Sequence, residues 1–125
     1  MNTEAIIRKW SAIPFRWGDG DCCQFAGEFV EALTGKNPMR FFDYKNKREA
    51  LELVYRYGSL EAAITSVFGQ PIELDQAKDG DVVLINLPRA DAMVGIRHHD
   101  RLIVRTEHGV TDWPCRYANK AWSIL

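Results

Sequence analysis

Long apolar runs are missing from this sequence. No stretch approaches the roughly 20 apolar residues that a bilayer-spanning helix needs. The first eight residues carry Glu4 and Arg8 where a secretory signal would have its apolar core. We therefore expect a chain that is made and folded in a cytoplasm and that does not insert into a membrane.

Cysteine is scarce, with only Cys22, Cys23 and Cys115. The odd count, and the poor geometry for bridging two adjacent residues, argue against a disulfide framework. Three cysteines are also one too few for an all-cysteine zinc or iron–sulfur site, and no histidine completes one at a recognisable spacing. We expect neither a metal nor a cofactor.

An excess of charge is lacking as well. Lysine and arginine number 16 against 17 acidic residues, so the net charge is −1. This balance argues against a broad basic face for nucleic acid. The 125 residues are 46% hydrophobic and 26% charged, as expected for one folded domain, 1–125, with one core.

The first half of the chain has helical periodicity and the second half has strand periodicity. Helices are predicted at 3–13, 21–34, 45–57 and 59–67, bounded by capping residues, proline and glycine. Apolar runs at 81–87, 92–97, 101–106, 110–113 and 120–124 indicate strands, with His99-Asp100 as a hairpin turn. This order predicts an α+β domain in which N-terminal helices pack on a C-terminal antiparallel sheet.

Three segments occur in the order and spacing of the NlpC-type papain-like cysteine peptidase superfamily. The segment Trp17-Gly18-Asp19-Gly20-Asp21-Cys22-Cys23-Gln24-Phe25 resembles the aromatic-Gly and Asp-Cys-Ser-Gly-Phe block of that superfamily. Gly80-Asp81-Val82-Val83-Leu84 resembles the Gly-Asp motif that opens one of its strands, and Val94-Gly95-Ile96 resembles its Val-Gly-Ile strand. The resemblance implies a papain-like fold with Cys22 where the nucleophile of that superfamily lies.

A further pattern covers the whole length and resembles an uncharacterised family from phages and prophages. It consists of Trp17-Gly18-x-x-Asp21-Cys22-x-x-Phe25-Ala26, Thr34-Gly35-x-x-Pro38, Arg40, Tyr44 and Ala121-Trp122. Members of that family are generally taken to be small tail-associated proteins of the same papain-like ancestry. The resemblance implies a virion tail component that assembles with other tail proteins in the host cytoplasm.

Cys22 has one feature of a catalytic cysteine, since the sequence puts it in the first turn of a helix capped by Asp21. Backbone N–H groups and the helix dipole there favour a thiolate, which is the reactive form. The same N–H groups are able to form half of an oxyanion hole. The other interpretation of Cys22 is a small residue buried at a helix start.

The base that a cysteine hydrolase needs is not recognisable. Met93 precedes Val-Gly-Ile, where the superfamily has its histidine, and its orienting residue falls near Val104 or Arg105. None of His98, His99 and His108 has a suitable position, because they lie too far along the strands or have the wrong parity. The pair His98-His99 is interpreted as a solvated hairpin tip rather than a metal site, since adjacent strand residues point to opposite faces.

We therefore expect a catalytically degenerate papain-like domain that serves as a structural component of a phage tail tip. Its predicted binding residues are Trp17 and the aromatic loop of Arg40, Phe41, Phe42 and Tyr44, although packing of that loop on the core explains the pattern equally well. The alternative is an active peptidase or amidase of peptidoglycan, with Cys22 as nucleophile and a base from elsewhere, even a neighbouring subunit. A binding module unrelated to virions is a third interpretation.

Overall fold

The computed structural model describes residues 3–125, in which helices are followed by a sheet. The α+β prediction is confirmed. The helices and strands are α1 (Thr3–Ser11), α2 (Cys22–Thr34), α3 (Lys47–Tyr57), α4 (Leu60–Phe68), β1 (Val82–Ile85), β2 (Met93–His98), β3 (Arg101–Thr106), β4 (Gly109–Pro114) and β5 (Ala118–Trp122). A short 3₁₀ turn, Pro38–Phe41, follows α2.

Helix α2 begins and ends where its sequence predicts. The Asp21 side chain accepts a hydrogen bond from the backbone N–H of Gln24, and Gly35 ends the helix in the left-handed conformation with φ 84°. Helices α3 and α4 are capped in the same way by Asn46 and Ser59. Capping explains why α3 begins at Lys47, two residues later than predicted.

The five strands form one antiparallel sheet in the order β4-β3-β2-β1-β5. Strand β1 lies between β2 and β5, so the last strand of the chain pairs with the first. His99 and Asp100 form the predicted turn between β2 and β3, with φ 50° and 62°. β1 ends at Ile85, two residues earlier than predicted, and its register with β5 shifts between Leu84 and Ile85.

The two faces of the sheet bury different apolar clusters. The larger cluster packs the sheet against α1 and α2 and contains Ile6, Trp10, Phe25, Phe29, Val82, Leu84, Val94, Ile96 and Trp122. The smaller cluster lies on the opposite face and contains Val83, Ile85, Leu102, Val104 and Ala121. All four residues of β1 are therefore buried, whichever face they are on.

No helix in residues 3–125 combines the length and the apolar character that crossing a bilayer requires.

Candidate functional site

Cys22 is the first residue of α2, as the sequence predicts. Its thiol therefore lies beside the unpaired N–H groups of the first helical turn. It packs against the larger core cluster and is partly exposed. This position gives the sulfur a chemical environment that favours the anion.

The Asp21 carboxylate, directly before Cys22, is fully used for structural hydrogen bonds. Oδ1 accepts from the backbone N–H of Gln24 at 2.9 Å. Oδ2 accepts from the backbone N–H of Gly18 at 2.9 Å and from the hydroxyl of Tyr44 at 2.8 Å. Asp21 is only 1% exposed. It closes the loop 17–21 onto the helix.

The two adjacent thiols interact with each other. A hydrogen bond with the Cys23 thiol lowers the pKa of Cys22, and this effect outweighs burial, which raises it. A hydrogen bond from the backbone of Val94 also lowers the pKa of Cys22, whereas the charge of Asp21 raises it. The same thiol–thiol hydrogen bond, with burial, raises the pKa of Cys23. Cys22 is thus the more acidic thiol of the pair.

Strand β2 presents an apolar side chain, not a base, to Cys22. Val94 and Ile96 belong to the cluster that contains Cys22, and Ala92 packs against the same cluster. Met93 packs with Val83 and Ile85 on the opposite face of the sheet. The Met93 side chain, at the motif position of the superfamily's histidine, therefore lies on the other face of the sheet from the cluster that contains Cys22.

The histidines lie elsewhere. The His98 ring packs edge-on against Phe29, with 5.8 Å between ring centroids. Phe29 is seven residues after Cys22, roughly 10 Å along the helix axis. His99 is in the β2–β3 turn, and His108 is exposed in the turn between β3 and β4. Burial, then the neighbouring His99, lowers the pKa of His98. His98 and His99 therefore lie toward the other end of α2, and the groups that shift the pKa of Cys22 include no imidazole.

Arg105 is a buried structural cation. It lies near the motif position of the residue that orients the histidine in the resembled superfamily. It is 2% exposed and lies on the helix side of the sheet. Its Nη1 donates to the Trp10 carbonyl at 2.6 Å, and its Nη2 donates to the Ile13 carbonyl at 2.5 Å. Its Nε has no partner among the described residues. Arg105 therefore holds the end of α1, a function that its place in the motif does not indicate.

Beside the two cysteines is an apolar cavity of about 300 Å³. That volume is at the lower end for pockets that bind small ligands. Helix α3, which has no buried residue, forms one wall. Lys47 of this helix forms an ion pair at 3.4 Å with Asp91 of the β1–β2 loop. Other lining residues include Trp17, Cys22, Cys23, Gly27, Met39, Phe42, Val54, Ala63, Ile64, Phe68 and Val94.

The residues predicted to bind partners have different environments. Phe41 is 66% exposed, and the Arg40 guanidinium stacks on its ring at 4.8 Å. Phe42 packs against Tyr57, and Trp17 packs against Phe15. Phe42 and Trp17 both line the cavity. Tyr44 is only 9% exposed. Burial and the hydrogen bond to Asp21 place the Tyr44 side chain in the core, whereas Phe41 is the exposed aromatic residue of this loop.

A family model described as a domain of unknown function (DUF6950) matches residues 2–124. The chain belongs to that family. A search of the curated proteins gave no match.

Among solved structures, the chain is similar to the NlpC/p60 domain of the peptidoglycan hydrolase SagA. The TM-score is 0.59 at 20% sequence identity, and the alignment covers 98% of this chain and 99% of that domain. At this identity the likeness shows the fold alone. The DUF6950 chain therefore has an NlpC-like, papain-like fold, as its three motif segments predict.

Proposed function

We propose that this DUF6950 chain is a catalytically degenerate papain-like module that acts by binding rather than by hydrolysis. The supporting observation is the environment of Cys22, where β2 presents Val94 and the adjacent carboxylate, Asp21, accepts hydrogen bonds from three donors. A cysteine hydrolase needs a base within hydrogen-bond reach of the thiol and a group that orients the base. Among residues 3–125, the groups that shift the pKa of Cys22 are its own backbone, Cys23, Val94 and Asp21, and none of them is an imidazole.

The proposed role is that of a small component of a phage or prophage tail tip. It would assemble with other tail proteins in the host cytoplasm and remain in the virion tail, where contact with peptidoglycan is possible. The tail assignment comes from the family resemblance of the sequence. The proposed contact surface is the exposed pair Arg40 and Phe41, where an aromatic ring and a guanidinium are stacked. Aromatic and arginine side chains commonly dominate binding energy at protein interfaces.

Particle incorporation tests this proposal. In a phage or prophage that encodes the chain, the protein should be found in purified particles by mass spectrometry. Cys22→Ser should be incorporated like wild type, since no thiol chemistry is required. Phe41→Asp should reduce incorporation at least tenfold because it places a charge at the contact. Tyr55→Asp is the matched control, because Tyr55 is an exposed aromatic residue on α3.

Two outcomes would contradict the proposal. Absence of the protein from particles would favour a binding module unrelated to virions. Equal incorporation of Phe41→Asp and Tyr55→Asp would exclude the Arg40–Phe41 surface as the contact.

A second candidate function is hydrolysis of peptidoglycan with Cys22 as nucleophile. The observation that favours it is the lowered pKa of Cys22 at the start of α2. Its base would be a group that the sequence motifs do not identify, including one from a neighbouring subunit. Release of free amines from purified sacculi measures this activity. On the binding proposal, wild type and Cys22→Ser release equal background amounts, whereas a wild-type excess abolished by Cys22→Ser would establish the hydrolase.

A further inference from the structure

Three side chains that bind metals well converge at the β2–β3 turn, at the other end of α2 from Cys22. They are Asp79 from the loop before β1, His98 at the end of β2 and His99 in the turn. One ligand atom from each lies within 4.8 Å of the other two. His99 Nδ1 is 3.4 Å from Asp79 Oδ2, and the two imidazole centroids are 3.9 Å apart.

The turn itself brings the two histidines to the same side. Consecutive strand residues point to opposite faces, and on that basis the sequence predicted that these rings diverge. His99 instead has a left-handed backbone with φ 50° and is followed by Asp100 with φ 62°. This pair of left-handed residues forms the tight hairpin turn. The strand therefore ends before His99, and its side chain no longer follows the alternation of strand residues between the two faces.

Backbone contacts hold the three residues in this arrangement. The His99 N–H donates to Asp79 Oδ1 at 3.1 Å, which leaves Oδ2 facing the imidazole. The Gly80 N–H donates to the Arg97 carbonyl at 2.7 Å and ties the loop to β2. The His98 ring rests against Phe29. Only small rotations of Asp79 and His99, which are both exposed, are needed to close the cluster.

We propose that Asp79, His98 and His99 form a binding site for a divalent transition-metal ion such as Zn²⁺ or Co²⁺. Two imidazoles and one carboxylate are a donor set that these ions favour, whereas Mg²⁺ and Ca²⁺ prefer oxygen ligands alone. Metal–ligand distances of about 2.0–2.2 Å in tetrahedral geometry separate neighbouring ligand atoms by roughly 3.4 Å. The distance between Asp79 Oδ2 and His99 Nδ1 is already 3.4 Å.

A metal at this site would join the loop before β1 to the β2–β3 hairpin. Because the three ligands are assembled only in the folded chain, binding would stabilise the fold by mass action. Three protein ligands leave one tetrahedral position for water or for a donor from a partner. The site uses neither Cys22 nor the Arg40–Phe41 surface, so it is independent of the proposed function.

Titration of the metal-free protein with Zn²⁺ by calorimetry, and with Co²⁺ by visible absorption, tests the site. We expect one equivalent to bind and the thermal unfolding midpoint to rise. Asp79→Asn and His99→Asn should weaken binding at least tenfold. Both changes conserve the fold, since asparagine accepts the His99 N–H bond and tolerates the left-handed turn. His98→Asn should weaken binding similarly.

His108→Asn is the matched control, because this exposed histidine lies in a different turn and should leave binding unchanged. A thiolate-to-cobalt charge-transfer band would show that cysteine holds the ion and would overturn the proposal. Failure to bind Zn²⁺ or Co²⁺, or wild-type affinity in both Asp79→Asn and His98→Asn, would also overturn it.

Discussion

At the scale of single residues, the two adjacent cysteines differ in the acidity of their thiols. Cys22 has the helix start and the hydrogen bonds that favour a thiolate. Val94 of β2, an apolar residue, belongs to the cluster against which Cys22 packs. An acidic thiol alone does not make a cysteine hydrolase, which also needs a base within hydrogen-bond reach.

The acidity of Cys22 should depend on its neighbour. Cys23→Ala removes the thiol hydrogen bond that favours the Cys22 anion, so the pKa of Cys22 should rise. Alkylation of Cys22 by iodoacetamide should then need a higher pH to reach its half-maximal rate. The measurement is the pH dependence of labelling in a Cys115→Ala background, with the labelled residue identified by tandem mass spectrometry.

Cys23→Ser is the control for this change, because its hydroxyl still donates a hydrogen bond. It should keep the pH profile nearer to wild type than Cys23→Ala does. An identical profile in all three proteins would show that the Cys23 thiol does not stabilise the Cys22 anion.

The helix cap at Asp21 could be predicted because it is local, whereas the second function of its carboxylate could not. Tyr44, which donates to Oδ2, is 23 residues away in sequence. From the sequence, an aromatic side chain in this loop is equally consistent with a position on the surface and a position in the core. Burial and the charges of neighbouring groups raise the pKa of Tyr44, which keeps its hydroxyl protonated as a donor.

At the scale of elements, α2 and the Pro38–Phe41 turn are in very close contact at Gly27. A Cβ at this position would lie 2.6 Å from Asn37 Oδ1 and 2.6 Å from Met39 Cγ. Asn37 Oδ1 is not free to move, since it accepts the Met39 N–H at 2.9 Å and caps the turn. Gly27 therefore sets the distance between the helix and the segment that carries Phe41.

Gly27→Ala should destabilise the protein although alanine is the better helix former. The propensity gain of about 1 kcal/mol competes with an overpacking cost of about 1–3 kcal/mol. We expect a net loss of about 1 kcal/mol in the free energy of unfolding, measured by urea denaturation. Met39→Ala in the same chain should recover part of the loss. A net gain of about 1 kcal/mol would mean that the turn moves freely.

The orientation of β2 shows the limit of the sequence at this scale. Its order along the chain, its turn and its apolar character could all be predicted. Which face meets α2 could not, because both faces of the sheet are buried, as the four buried residues of β1 show. Met93 and Val94 are both apolar, and only the packed structure shows that Val94 is the one beside Cys22.

At the scale of the whole molecule, Arg105 of β3 joins the sheet to the end of α1. Its guanidinium binds the carbonyls of Trp10 and Ile13, which are 95 and 92 residues away in sequence. These carbonyls close the end of α1, where a helix has no internal donors of its own. Burial lowers the pKa of Arg105 without neutralising it.

Arg105→Met should release α1 from the sheet. We expect a loss of about 2–4 kcal/mol in the free energy of unfolding, because the Trp10 and Ile13 carbonyls lose the charged guanidinium that donates to both. Hydrogen exchange should accelerate most in residues 3–13. Arg101→Met is the control on the same strand, where an exposed ion pair with Asp112 is worth about 1 kcal/mol or less. Equal effects of the two changes would contradict the role of Arg105.

The position of β1 in the sheet has a consequence for synthesis. This strand, Val82–Ile85, has β2 on one side and β5 on the other, and β5 is the last strand to be made. At ribosomal rates of roughly 5–20 residues per second, the β5 side of β1 is uncovered for on the order of seconds. During that interval an apolar strand edge is open to other chains. Nascent chains halted before residue 118 should therefore depend on chaperones.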